Sequence, residues 1–490
     1  MTTPYSVVIV GGGTAGWMTA LLLRQHLSDH VTLHLIESDQ IPTIGVGEGT
    51  TPYIREFFYT IGVDEQDWMQ RCDATYKCGI RFPNWSTKAG YSSYYHPFFS
   101  SLDLKHGDRF FEMADRRRKG EDVTALPDHF FLAPYLSEAG MAPHLPSSLS
   151  HATLDYAYHF DAAKLGNFMR ELGKKRGIQH IVGTVADITR YPNDHIDTLT
   201  LNSGQNVKGD YYIDCTGFQG LLIEKTLKDP FISFSDNLLN DAAVALQTPL
   251  TTGEFRPTET RSEALANGWM WQIPLNTRQG NGYVYSSAYC SADEAEDTLR
   301  KKLGIDDSIA AKHLKMRVGR RSQHAIGNCM AIGLSQGFIE PLEATALMLT
   351  QFSVTQVVRQ LRELGPQLSQ NAYALAVIND AINNTIDGIR DYIVAHYKTN
   401  TRNDTEYWCV NREDTPISDT LDAIMCQWRS GQSLQPVLEQ YQEKLAYLRP
   451  SWYCLLAGTG YFPDVKNQVE TPQPVNEARH YYQSLRQQFA

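Results

Sequence analysis

A glycine-rich turn between a short apolar run and an amphipathic segment constrains this chain more than any other feature. Residues 7–10 are valine or isoleucine throughout, which predicts a buried parallel strand, and they lead directly into GGGTAG at 11–16. Apolar residues then recur at helical spacing, and residues 32–36 predict a second strand that ends at Glu37. A strand, a glycine turn, a helix and a second strand together predict a βαβ unit and an α/β fold.

The turn has the three glycines of a dinucleotide site, which are Gly11, Gly13 and Gly16. The first permits the tight bend, the second lets the backbone approach a pyrophosphate, and the third lets helix and strand pack closely. The phosphates then lie beside Thr14 and Ala15 at a helix N-terminus, where free N–H groups bind anions. Glu37 is placed to accept hydrogen bonds from ribose hydroxyls, so we predict dinucleotide binding.

Composition restricts the class of partner. The 490 residues include 44 Lys and Arg against 55 Asp and Glu, a net charge of −11 that argues against nucleic acid as a ligand. The eight cysteines form no CxxC pair and no metal-ligand spacing, so we expect reduced thiols in a cytoplasmic protein and no metal site. We also expect no signal peptide and no membrane span, because no window approaches about 18–20 unbroken apolar residues. A monomer and a homodimer both remain open.

Patterns along the chain predict interleaved modules. The segment 80–150 is rich in Tyr, Phe, His and Pro without clear periodicity, which predicts loops and irregular strands. Residues 354–361 and 375–393 each place apolar side chains at helical spacing, which predicts two helices. The predicted boundaries are 1–79, 151–229 and 316–365 for the nucleotide-binding domain, 80–150 and 230–315 for a second module, and 366–490 for a mainly helical region.

Three further motifs accompany the glycine turn. They are KCGIRFPNW with Lys77, WMWQIP with Trp269 and Trp271, and GFIEPLEATAL with Glu343. In this order, the four motifs resemble those of the flavin-dependent halogenases of the tryptophan-halogenase type. The resemblance extends to about residue 400 and weakens beyond it. It implies an α/β fold in which a Rossmann-like FAD-binding domain is interleaved with a substrate-binding module, followed by a helical C-terminal region.

The resemblance also favours FAD over NAD. The segments CTGF (215–218) and AIGL (331–334, with Gly333) resemble further flavin contacts, and IGVGEGTTP (44–52) resembles a family signature that lies against the flavin. Only one dinucleotide fingerprint is evident. We therefore expect no NAD(P)H site, and expect a separate flavin reductase to supply FADH2, which then reaches the protein by free diffusion.

In this family, reduced flavin and O2 oxidise halide to hypohalous acid, which travels through an internal passage to a lysine. The match is Lys77, whose ammonium holds the oxidant by hydrogen bond or whose amine becomes a haloamine. Glu343 matches the carboxylate that polarises the halogen donor and takes the ring proton, and Glu340 is its nearest competitor. The residues alone also allow a surface lysine whose stem covers apolar area and a glutamate in the first turn of a helix.

The resemblance places the halide at the backbone N–H groups of Thr345 and Ala346. The commoner family sequence there is Ser-Thr-Gly, whereas this chain has Ala344-Thr345-Ala346. Backbone donors survive that difference. A hydroxyl at position 344 does not, so a side-chain relay between the lysine and the glutamate is not expected.

The resemblance assigns His96 and Phe98 to one wall of an aromatic pocket and Trp452 to the opposite wall. Trp269 and Trp271 would close the flavin region so that substrate is not hydroxylated, although they also suit two core residues on one strand face. Relatives that act on free tryptophan bind its amino-acid end with a Tyr-Tyr pair and a glutamate. The local sequence EQYQEKLAYLRPSW does not reproduce that spacing, so indole, a substituted indole or a larger indole- or phenol-bearing compound is expected.

The sequence thus predicts a flavin-dependent halogenase that chlorinates or brominates an indole-like ring with FADH2, O2 and halide. The alternative is a flavin-dependent aromatic monooxygenase, which needs the same nucleotide fold but has no use for Lys77. A non-catalytic flavoprotein is a second alternative, and the presence of both Lys77 and Glu343 argues against it.

Overall fold

The computed structural model describes residues 4–40, 47–250, 255–465 and 473–489. The strands are β1 Tyr5–Val10, β2 Val31–Glu37, β3 Gly47–Gly49, β4 Thr75–Lys77, β5 Gly79–Pro83, β6 Ser93–Pro97, β7 Ala157–Asp161, β8 Gln179–Val182, β9 Val185–Arg190, β10 Ile196–Leu201, β11 Asn206–Lys208, β12 Tyr211–Asp214, β13 Phe231–Ser233, β14 Ala242–Pro249, β15 Thr260–Leu265, β16 Gly268–Pro274, β17 Arg278–Tyr285, β18 Lys312–Lys315, β19 Gly319–Arg321, β20 Ala325–Ile326, β21 Cys329–Ala331 and β22 Gly337–Phe338. The helices are α1 Thr14–His26, α2 Ile54–Thr60, α3 Glu65–Arg71, α4 Leu104–Arg118, α5 Leu132–Glu138, α6 Ala162–Lys175, α7 Ala292–Leu303, α8 Ala346–Leu364, α9 Ala372–Thr399, α10 Glu406–Glu413, α11 Asp419–Ser430, α12 Gln435–Gln440, α13 Arg449–Gly458 and α14 Gln473–Arg486.

The first strand lies inside a six-stranded sheet of order β20-β21-β12-β1-β2-β8. β1 runs parallel to both neighbours, with Val7 opposite Leu33 on one side and Tyr211 on the other. Its valine and isoleucine side chains are buried because both faces of a parallel sheet are covered. The βαβ opening and the α/β fold class are confirmed.

A second, mainly antiparallel sheet has the order β18-β14-β17-β16-β15-β5-β6. β5 and β15 are its parallel pair, with Ile80 opposite Thr260. The sheet therefore draws strands from two distant segments of the chain. A small antiparallel sheet of order β3-β7-β4 lies beside it. Its edge strand β4 ends at Lys77.

The prediction that the segment 80–150 forms only loops and irregular strands is wrong. The segment also contains helices. The 15-residue helix α4 buries Phe110, Met113 and Ala114, which follow the i, i+3, i+4 spacing of one helix face. Charged residues dominate the rest of α4, so its apolar face is narrow and the sequence pattern is weak.

The two helices expected after Glu343 are present as α8 and α9. The predicted apolar residues of α8 and most of those of α9 are buried, and the two helices pack against each other. α10 to α13 follow, and α13 carries Trp452. Within the four described ranges, no helix combines the length and apolarity needed to cross a membrane.

Candidate active site

The glycine turn between β1 and α1 forms a cradle whose first and third glycines are required by close packing. Gly11 has φ +116°, and a Cβ there would lie 2.1 Å from the Cys215 carbonyl oxygen. A Cβ on Gly16 would lie 1.9 Å from the Gly11 carbonyl oxygen. A Cβ on Gly13, the second glycine of the motif, would meet no described atom within 4 Å. The backbone at this residue therefore borders open space. Because α1 also has no acidic residue in its first turn, this end of the helix fits a pyrophosphate.

The remaining predicted cofactor residues border this cradle. Gly333 has φ +72°, and a Cβ there would lie 2.7 Å from that of Ala15. Glu37 packs against Gly12 and places Oε2 2.9 Å from His180 Nε2. Residues 44–46 of the signature segment lie outside the described residues. The described part of the cradle fits the adenine dinucleotide portion of FAD.

Lys77 ends β4 opposite Ala157 and is fully buried. Its Nζ has no hydrogen-bond partner among the described residues and lies 5.5 Å from the centre of the Phe98 ring. Burial lowers the pKa of Lys77 to about 7, and the Glu343 carboxylate opposes that change. The alternative of a surface lysine is wrong, because the side chain is fully buried. A buried ammonium without a hydrogen-bond partner is costly and favours a role in binding a ligand.

Glu343 lies in the 3₁₀ turn Pro341–Glu343 that precedes α8, not in the first turn of the α-helix. The chain reverses at Ala344, whose φ of +56° is unusual for a residue other than glycine. Glu343 Oε2 lies 3.2 Å from His96 Nδ1, and Oε1 lies 3.0 Å from His396 Nε2. Burial alone would raise the pKa of Glu343, but the two histidines outweigh it and lower the pKa to about 2. The carboxylate is therefore ionised and able to accept a proton.

Glu340 has a different environment. Its Oε2 accepts hydrogen bonds from Asn240 Nδ2 at 2.7 Å, Trp269 Nε1 at 2.9 Å and the Tyr397 hydroxyl at 2.9 Å. These donors come from three separate segments of the chain. Glu340 therefore joins the turn before α8 to β16 and α9.

The two tryptophans of β16 share one face but have different contacts. Their ring centroids are 6.3 Å apart. The Trp271 indole covers Gly282 so closely that a Cβ there would lie 2.0 Å from the ring. Both tryptophans are buried, and the Trp269 indole N–H donates to the Glu340 carboxylate.

The predicted halide residues follow Glu343 directly. Thr345 precedes the first residue of α8, which is Ala346. The first N–H groups of a helix have no intrahelical acceptor, and the helix dipole favours an anion there. The turn thus places N–H groups without helical acceptors two and three residues after the buried carboxylate.

The predicted aromatic walls are linked by a residue that sequence reasoning missed. The Tyr392 ring lies between His96 and Trp452, with centroids 6.1 Å and 5.0 Å away. It also stacks on Tyr447 at 3.7 Å. The structure thus brings His96, Trp452 and Glu343 to one buried site, with Tyr392 occupying part of the space between the walls.

His396 was also missed, although the sequence holds a signal for it. On α9, Tyr392 and His396 follow Ile389 at i+3 and i+7, so both continue the apolar stripe. A titratable side chain on a core-facing stripe indicates either a satisfied buried histidine or a site residue. The sequence pattern alone does not place it beside Glu343, which lies on another element.

Known proteins share this arrangement of elements along almost the whole chain. The family model described as tryptophan halogenase matches residues 6–474. Tryptophan 6-halogenase SttH of Streptomyces toxytricini is 37% identical over 485 residues, covering 93% of this chain and 90% of the relative. Tryptophan 7-halogenase RebH of Lentzea aerocolonigenes is 33% identical over 489 residues, covering 94% and 90%. The structure of BrvH, a flavin-dependent halogenase from Brevundimonas sp. BAL3, matches with a TM-score of 0.83 and 33% identity, covering 99% of this chain and 96% of that one. The chain belongs to the tryptophan halogenase family.

Proposed function

We propose that this protein is a flavin-dependent halogenase that places chlorine or bromine on an electron-rich, indole-like ring. One observation carries the proposal: the fully buried Lys77, whose ammonium finds no hydrogen-bond partner among the described residues, lies within electrostatic reach of an ionised Glu343 beside aromatic rings. Unpaired buried charge is expensive, so its retention favours a chemical role. Family membership supports the use of FAD and halide.

When bound, reduced FAD supplies with O2 the oxidising power that converts halide to hypohalous acid. Lys77 holds that oxidant by donating an N–H to its oxygen, or forms an N–halogen bond as the free amine with release of water. A pKa near 7 makes both forms available in neutral solution. The N–H groups of Thr345 and Ala346 hold the halide, and Trp269 and Trp271 screen the flavin region from the arene.

Glu343 acts as the general base. The arene carbon forms its bond to halogen, and the C–H electron pair then restores aromaticity while the proton passes to a Glu343 oxygen. A carboxylate whose pKa is held near 2 stays ionised at any working pH and polarises the halogen donor by its charge.

The pocket favours a flat substrate. His96 and Phe98 form one wall and Trp452 the other, and the Tyr392 ring already occupies part of the gap. We infer that indole or a substituted indole fits better than a bulky compound. Glu443, which lies shortly before Trp452 in the sequence, is exposed, which argues against its binding the amino-acid end of free tryptophan.

Reduced flavin comes from a separate reductase by diffusion in this proposal, because the sequence has one dinucleotide fingerprint. The reductase is a transient supplier. The halogenase itself acts as a monomer or homodimer.

The decisive experiment supplies the purified protein with FAD, a flavin reductase, NADH, O2 and bromide. A panel of indoles, phenols and pyrroles is added, and products are identified by the isotope pattern of bromine in mass spectra. We expect brominated arene from the wild type, and none from Lys77→Met although flavin oxidation continues. Lys105→Met, which changes an exposed lysine, serves as the matched control and should match the wild type.

Glu343→Gln should slow ring bromination by roughly 10²–10⁴-fold, the usual contribution of a positioned base, with little change in flavin oxidation. Hydroxylated arene from the wild type, in place of brominated arene, would support the monooxygenase alternative. Normal bromination by Lys77→Met would contradict the role given to the lysine.

A further inference from the structure

Each oxygen of the Glu343 carboxylate faces a different imidazole. Oε2 contacts His96 on β6, and Oε1 contacts His396 on α9, at 3.2 Å and 3.0 Å. All three side chains are at least nine-tenths buried. Bulk solvent therefore does not reach these contacts, and the protons there depend mainly on the neighbouring side chains.

The other ring nitrogen of His396 identifies where its proton lies. Nδ1 is 3.0 Å from the carbonyl oxygen of Tyr392, one turn earlier on α9. A carbonyl oxygen only accepts, so Nδ1 must carry a hydrogen and donate it. Nε2 lies 3.0 Å from Glu343 Oε1, close enough for an ion pair although the two atoms are not aligned as a hydrogen bond. In a neutral imidazole this nitrogen would carry no hydrogen, and its electron density so close to an ionised carboxylate oxygen would be unfavourable. The contact therefore favours a second proton on the ring.

We propose that His396 is a positioning residue whose doubly protonated ring keeps Glu343 ionised and oriented for proton removal from the arene. This inference rests on the proposed function. The imidazolium donates from Nδ1 to the Tyr392 carbonyl, and its charge holds the Glu343 carboxylate in an ion pair, with Nε2 3.0 Å from Oε1. The C–H proton of the halogenated ring is then received by a remaining lone pair of the carboxylate.

The surroundings of the pair support this arrangement. Aromatic rings enclose His396, with the centroids of Phe82 at 5.0 Å, Trp85 at 5.8 Å and Tyr392 at 5.3 Å. Such a cage excludes water and strengthens the attraction between imidazolium and carboxylate. The titratable groups near Glu343 are Lys77 on β4, Tyr94 and His96 on β6, Tyr392 and His396 on α9, Tyr447 before α13, and Cys454 on α13, whose thiol stays neutral because burial raises its pKa well above the ordinary value. Burial raises the pKa of each tyrosine well above its ordinary value, so the tyrosines stay neutral and do not compete for the proton.

The position of the proton is tested by NMR of protein labelled with ¹⁵N-histidine at pH 7, with no substrate and no turnover. An imidazolium gives two similar ring ¹⁵N shifts, whereas a neutral ring gives two widely separated ones. We expect His396 to be an imidazolium in the wild type. In Glu343→Gln we expect a neutral ring with hydrogen on Nδ1, because an amide N–H then donates to the free lone pair of Nε2. The signals are assigned by their loss in His396→Gln or in His396→Asn, whichever retains the folded circular dichroism spectrum.

A neutral His396 in the wild type would overturn the inference, since the proton would then reside on Glu343. So would an imidazolium that persists in Glu343→Gln. Neither result depends on halogenation, so failure of the proposed function and failure of this inference are distinguishable.

The kinetic consequence is measured on the fully supplied halogenase. His396→Gln should lower ring bromination per flavin oxidised at least about tenfold, because a mispositioned base forfeits part of its usual 10²–10⁴-fold contribution. Release of hypohalous acid to an external trap should stay within about twofold of the wild type, and a ring-deuterated arene should react more slowly than the protonated one. The matched control is His324→Gln, which removes a fully buried imidazole that contacts Asn383 and not Glu343. Equal losses in both variants would overturn the positioning role.

Discussion

At the scale of single residues, the burial of one lysine of the site lowers the stability of the folded protein. A lysine buried without a partner lowers the free energy of unfolding, because its charge is taken out of water and the cost is not recovered. Lys77 is such a residue, since its Nζ has no partner among the residues described. A nearly isosteric apolar side chain at this position should therefore yield a more stable and inactive protein.

We expect Lys77→Met to raise the free energy of unfolding by about 1–3 kcal/mol near pH 6. The gain depends on pH because the pKa of Lys77 is about 7 in the folded protein and near 10.5 otherwise. Below about pH 7 both states are protonated and the folded state bears the full penalty. As pH rises towards 10.5 the unfolded state binds more protons, so wild-type stability increases and the advantage of methionine disappears. Urea unfolding at pH 6 and pH 10 measures the difference, and an equal gain at both would contradict it. Lys105→Met should show no such dependence.

At the scale of elements, the two tryptophans of β16 make different contacts. Trp269 donates to the buried Glu340, which also accepts from Asn240 and Tyr397. Trp271 instead covers Gly282 with its ring. β16 is thus linked to the turn before α8 by the Trp269 hydrogen bond, and it packs against β17 through the Trp271 ring.

Trp269→Phe should lower the free energy of unfolding by about 1.5–3 kcal/mol more than Trp271→Phe, because it removes a hydrogen bond to a carboxylate. Both substitutions remove similar volume, so each serves as the control for the other. Chemical unfolding followed by circular dichroism measures the two values. A larger loss for Trp271→Phe would contradict a structural role of the Trp269 indole N–H.

The elements of the fold differ in how well local sequence patterns predict them. The glycine turn, β1 and the stripes of α8 and α9 follow from local periodicity and from steric demands on single residues. α4 was missed because its apolar face is narrow among charged side chains. Tyr392 and His396 were recognisable only as members of a stripe. Their contact with His96 and Glu343 depends on how α9 packs against distant elements, which no local pattern encodes.

At the scale of the whole molecule, no sheet of the site belongs to one stretch of chain. β5 pairs with β15, and β4 pairs with β7, across wide gaps in sequence. The nucleotide cradle joins the first strand to segments around Cys215 and Gly333. Such interleaving argues that the modules unfold together.

We therefore expect one calorimetric transition, whose midpoint rises on adding FAD. At a concentration one hundred times the Kd, FAD should contribute about 2.7 kcal/mol. Gly13→Ala is the sharp test, because the added methyl meets no protein atom within 4 Å but intrudes where a pyrophosphate would approach. It should leave the midpoint without FAD unchanged and abolish the shift. Two separate transitions, or an unchanged FAD shift in Gly13→Ala, would contradict this account.

The pairing of β4 with β7 also bears on how the protein is made. Lys77 is opposite Ala157, so the strand that carries it can pair with its neighbour only after about 80 more residues have been synthesised. The nucleotide cradle is completed later still, because Gly11 packs against Cys215 and Ala15 lies beside Gly333. Incomplete chains would thus have neither a finished cradle nor a buried Lys77, and we expect refolding to restore flavin binding and halogen transfer together.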